Sequence, residues 1–80
     1  MATQIGKNEM IQTCLELSSD LLKLPVKHMW VDYDKEADVL YLSFRKPQRA
    51  KKTDEIDDDV LIRTDGDQIV GLTVLNASKR

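Results

Sequence analysis

The chain has one cysteine, Cys14, and one histidine, His28, in 80 residues. A lone thiol excludes an internal disulfide framework and a cysteine-rich zinc site, and it suits a reducing compartment, so a cytoplasmic location is expected. The three glycines include no phosphate-binding loop: Gly66 and Gly71 stand apart and carry no such motif. Ser18 and Ser19 lack a nearby glycine elbow or histidine, which leaves a hydrolase reading without specific support. No apolar run approaches the roughly 20 residues that a membrane span requires. Residues 1–5 have no basic start followed by an apolar run, so neither a span nor a leader is expected.

What the chain has in quantity is charge, and it is segregated. The net charge is only −2, yet residues 45–52 carry five positive groups while residues 53–67 carry seven acidic groups and one arginine, +5 beside −6. Such a dipolar surface suits charged partners and argues against non-specific nucleic-acid binding by the whole domain. Eighty residues form one domain, 1–80. A chain of this size buries only about 60–70 % of its unfolded surface, so oligomerisation or a partner would help it.

The hydrophobic spacing changes once along the chain. Met10, Ile11, Cys14, Leu15, Leu21, Leu22 and Leu24 recur at helical intervals, with Leu17 flanking them and Glu16, Asp20 and Lys23 on the remaining face, which predicts an amphipathic helix over about 9–24. Asn8 is the expected N-cap, and Pro25 ends the helix by disfavouring helical geometry at Leu24. From Lys27 the period becomes two: His28, Trp30 and Asp32 point one way, Met29, Val31 and Tyr33 the other. A polar turn at 34–38 leads into a second strand at 39–44. Residues 45–52, broken by Pro47, read as an exposed loop. A short edge strand at 52–56, an acidic turn at 57–59, a strand at 60–64, a glycine turn at 65–68 and a last strand at 69–75 follow. The fold class expected is therefore α+β: an N-terminal amphipathic helix, then a four- or five-stranded, mostly antiparallel β-meander over about 27–76.

Both faces of that sheet carry apolar groups. Leu40, Leu42, Phe44, Ile62, Val70, Leu72 and Val74 fall on one side; Trp30, Val39, Tyr41, Leu61 and Leu75 fall on the other. One helix covers one face, so the second group is a candidate interface with another copy or another protein, unless bulges hide it. The helix is expected on its own sheet, the alternative being that its leucine face docks in a partner's groove.

Three clusters invite chemistry. Asp32, Asp34, Glu36 and Asp38 alternate like the first half of a calcium loop, but Ala37 stands where such a loop needs glycine and Ser43 where it needs glutamate. Asp57, Asp58 and Asp59, beside Asp54 and Glu55, could share a divalent cation or simply make a solvated turn that blunts a sheet edge. Arg45, Lys46, Arg49, Lys51 and Lys52 are candidate contacts to a partner; no aromatic is interleaved among them, so platforms for stacking nucleic-acid bases are missing. Cys14, amid Met10, Ile11 and Leu15, reads as a buried and unactivated thiol, and His28 as structural or exposed.

The segments 33–41 (YDKEADVLY), 57–60 (DDDV), 65–72 (DGDQIVGL) and 76–80 (NASKR) together resemble the bacterial and archaeal domain family of unknown function DUF2283. The resemblance covers about residues 29–80 and omits the helix. It implies a fold outline and brings no activity, substrate, cofactor or catalytic residue; gene neighbourhoods of some members add an antitoxin-like role against small toxins. The function expected is a small non-enzymatic protein-interaction module, working as a homodimer or by binding another protein, without cofactor or membrane. The alternatives are an acidic divalent-metal-binding protein or metal-dependent enzyme, and a nucleic-acid-contacting accessory.

Overall fold

Helix α1 spans Lys7–Leu21 in the computed structural model, which describes residues 6–80. Residues 1–5, on which the expectation of no leader rests, lie outside the described residues. The cap is Gly6, extended at φ −68° and ψ 158°, with no side-chain capping bond. Asn8, expected in that role, sits inside the first turn, while Glu9 keeps the place favoured by the helix dipole. The helix closes before Pro25 by tightening: the Lys23 N–H donates to the Asp20 carbonyl and the Leu24 N–H to that of Leu21, both at 3.1 Å.

Five strands follow: β1 (Trp30–Asp34), β2 (Val39–Ser43), β3 (Lys52–Asp57), β4 (Val60–Asp65) and β5 (Gln68–Leu75). They form one antiparallel sheet in the order β1-β2-β5-β4-β3, so the α+β class expected from the periodicities is the one adopted. The path is a hairpin (β1–β2) joined to a three-strand meander (β3–β4–β5), with β5 returning beside β2. Residues 44–51 therefore have to carry the chain from β2 across to the far edge.

Paired residues share a face, and the register sorts the side chains as the alternation predicted. Leu40 pairs with Val74 and Leu42 with Leu72; Val60 and Ile62 pair with the same two β5 residues from the other side, and Val31 and Tyr33 extend the row onto β1. The opposite face holds Trp30, Val39, Tyr41, Leu61 and Leu75, with Ser43, Gly71 and Thr73. Two irregularities interrupt the ladders, leaving Ile56 unopposed in β3 and Val70 unopposed toward β4. A short 3-10 helix, Ala77–Lys79, follows β5 and is tied to the β1–β2 turn where the Ala77 N–H donates to the Asp38 carbonyl at 3.0 Å.

Packing departs from expectation at the helix. Every residue of α1 is exposed and none packs into the sheet. Cys14, read as buried, is exposed with it. Residues 24–28 and the end of the apolar sheet face line one groove, with only Val26 of the five half-buried, and α1 leaves from this segment instead of folding over the sheet. Only Val39 and Val70 among the large apolar side chains of the described residues are buried, at 7 % and 2 % exposure.

Candidate interaction surface

The apolar sheet face is not covered by any other element of the described residues. Its central members Leu40, Leu42, Val60, Ile62, Leu72 and Val74 are only half-buried, and at the β1 edge Val31 and Tyr33 stand 55 % and 49 % exposed. At one end of this face the linker closes a groove of about 610 Å³ between Leu24, Pro25 and Val26 on one wall and Phe44, Ile62, Val70 and Leu72 on the other. Beyond the groove rises α1, whose stripe of Met10, Ile11, Leu15, Leu17 and Leu21, with the C-cap Leu22 after it, is also open to water, Leu22 the most at 87 %. Large contiguous apolar areas of this kind are uncommon on stable monomers and mark interaction sites.

The opposite face, where Trp30, Val39, Tyr41, Leu61 and Leu75 were expected to need an outside cover, receives part of it from the chain. The crossover lays Gln48 over Gly71: the Gln48 amide donates to Ser43 Oγ at 2.8 Å while its Oε1 accepts from Arg63 at 3.0 Å. Val39 is buried, Trp30, Leu61 and Leu75 are half-buried, and Tyr41 is 38 % exposed. His28 stacks on Trp30 with centroids 5.9 Å apart, and the Lys46 ammonium lies 5.6 Å from the same indole. The sequence pattern could not show that a loop rich in lysine and arginine would act as a strap, because the signal is the single amide Gln48.

The five basic candidates are thereby divided. Arg45 donates to Asp65 at 2.8 Å and to the Gln48 carbonyl at 3.1 Å; Lys51 meets the same Asp65 at 3.6 Å, and Lys52 meets Asp54 at 3.5 Å. The Arg45 guanidinium, with help from Lys51, lowers the Asp65 pKa. Lys46 is spent on the indole. Arg49, exposed and in the left-handed region at φ 45°, has no ion pair among the described residues.

The acidic candidates do not converge. Asp34 accepts the Ala37 N–H at 3.2 Å in a local turn, and Glu36 is exposed beside it. Asp38, at φ 56°, accepts from Tyr33 Oη at 2.6 Å and from the Ser78 N–H and Oγ at 3.0 and 2.8 Å, fastening the first hairpin to the chain end. The Tyr33 hydroxyl, then Ser78, lower the Asp38 pKa, and the same carboxylate raises that of Tyr33. Asp57 accepts the Asp58 N–H at 2.8 Å and lies 3.6 Å from Arg80; Asp59 accepts from Asn76 at 3.1 Å. Among the described residues no group of three His, Cys, Asp or Glu is placed to hold a metal ion.

No helix of the described residues is long and apolar enough to cross a membrane. No curated protein and no solved structure matches the chain. The family model described as "Protein of unknown function (DUF2283)" matches residues 30–78, from the first residue of β1 into the terminal 3-10 helix, and leaves α1 outside. That span is most of the chain and includes the Asp38–Ser78 clasp and the whole sheet, so the protein belongs to the DUF2283 family.

Proposed function

We propose that this protein is an interaction module without chemistry of its own, acting by self-association or by covering the surface of another protein. The observation that carries the reading is the near absence of a core among the described residues: two large apolar side chains are buried, while the centre of one sheet face is only half-buried, its β1 edge is exposed and a helix stripe of the same character is open. The chain exposes 6747 Å². A folded monomer of its 9.2 kDa mass exposes about 4,900 Å² by the usual area scaling. Burial of apolar surface is the dominant favourable term in folding, so a chain this small and this open gains stability chiefly from what covers it.

The polar groups support the same reading. Asp38, Asp57, Asp59, Arg45 and Gln48 are engaged in bonds that hold the fold, and among the described residues no group of three His, Cys, Asp or Glu is placed to hold a metal ion. The lone exposed thiol of Cys14 suits a reducing, cytoplasmic setting. An antitoxin-like role is one form such a module takes, its mechanism being occlusion of the partner's working surface. Affinity purification of the tagged chain from its native host, followed by native mass measurement, tests the proposal. The expected result is an assembly of fixed stoichiometry, of this chain alone or with a second protein. A folded 9.2 kDa monomer recovered alone, with a melting temperature independent of its concentration, overturns it.

A further inference from the structure

Resting on that reading, and naming its partner, we propose that the occupant of the open sheet face is helix α1 of a second copy, exchanged reciprocally in a two-fold dimer. The chain carries both halves of the contact. α1 presents an apolar stripe interrupted by Ser18, and its other face, with Gln12, Glu16, Ser19 and Asp20, is polar. Its 15 residues measure about 22 Å along the axis. The five strands measure about 19 Å between the outer two. A helix of this length spans the face.

The course of the chain decides between the helix's own sheet and a partner's. Val26 is half-buried in the groove wall, the exposed His28 stacks on Trp30, and every residue of α1 beyond them is exposed, so within one copy α1 lies off its own sheet. A foreign partner would have to cover two separate surfaces of different shape. A second copy covers both by one symmetry operation, since helix-on-sheet in one direction implies the same contact in the other. The area agrees: each chain exposes on the order of 1,000–2,000 Å² more than a folded monomer of its mass. A standard interface takes roughly 800 Å² from each side.

The test uses the unmodified chain. Its solution mass is measured at about 100 μM, a concentration at which mass action favours association. Isotope-filtered NMR on a mixture of labelled and unlabelled protein then reads contacts between chains. The expected result is twice the 9.2 kDa mass, with contacts from the methyls of Ile11, Leu15 and Leu22 to those of Leu42, Leu72 and Val74 of the other copy. The double variant Leu15→Gln/Leu22→Gln, at positions 61 % and 87 % exposed in one copy, keeps the sheet folded, moves the methyl resonances of Leu42, Leu72 and Val74 to those of an uncovered face, and weakens dimerisation by about 100-fold or more. A dimer joined only helix to helix or sheet to sheet overturns the inference. So does a monomer that binds a different protein through this surface, although the interaction-module reading then stands. A monomer that binds nothing ends both.

Discussion

Asp38 shows how much of this fold rests on single polar side chains. A carboxylate that accepts three hydrogen bonds is favoured in its charged form, so its folded-state pKa lies below the ordinary value of about 3.9. The clasp therefore contributes its full stability above pH 4 and loses it as pH falls through the lowered folded value. Tyr33 works in the other direction: its raised pKa means that the contribution is complete below about pH 10 and is lost as pH rises through the raised value. The Ser78 amide resonance should accordingly hold its folded position between these limits and move at both extremes. In Tyr33→Phe the Asp38 titration, followed by carboxyl-carbon NMR, should shift back upward; an unchanged titration would mean that the hydroxyl is not the cause. Gly66 tests backbone preference alone, because at φ +65° an added Cβ meets nothing within 4 Å. Gly66→Ala should cost about 1 kcal/mol in denaturant unfolding, from the left-handed conformation and not from a clash.

At the scale of elements the alternation of apolar residues was enough to expect four or five strands and to divide their paired residues into two faces, since a period of two leaves no freedom once the register is set, while the irregularity at Val70 lay outside it. What the pattern could not carry was which face the helix covers. An amphipathic stripe such as 10-11-14-15-21-22 states that burial is wanted and says nothing about which molecule supplies it. The strap at 44–51 was equally hidden, because its contacts run from Gln48 to Ser43, Arg63 and Gly71 on three different strands. Gly71 is the point where that strap crosses β5: an added Cβ would lie 2.6 Å from the Gln48 Cδ. Unlike Gly66, this position has a neighbour, the far end of the flexible Gln48 side chain, which must move aside. Gly71→Ala should displace Gln48, break its bonds to Ser43 and Arg63, and cost about 1–3 kcal/mol, the worth of two such hydrogen bonds. Gln48→Ala in the same background should recover part of the loss; full additivity of the two substitutions would show that the strap and the glycine do not meet.

The whole molecule is an incomplete structure in the energetic sense. An isolated helix of 15 residues is marginal in water, and α1 buries nothing in its own chain to support it. If the proposed dimer covers α1, its helicity follows the fraction of molecules in the assembly. On dilution the far-ultraviolet helical signal should fall, while amide protection persists longest in the central strands β2, β5 and β4. Mass action makes the same coupling visible in heat. For a folded dimer that melts to two free chains, each tenfold rise in concentration adds about 1.4 kcal/mol to the dimer's stability. The unfolding entropy of 160 residues is about 0.34 kcal/mol/K, which converts that gain to a rise of about 4 °C in Tm per decade. A melting temperature that climbs by this amount between micromolar and near-millimolar protein, with the helical signal climbing alongside it, would tie α1 to the assembly. A Tm that stays flat while the helix remains formed would show instead that one copy supports α1 unaided, and the open sheet face would then have to be explained without it.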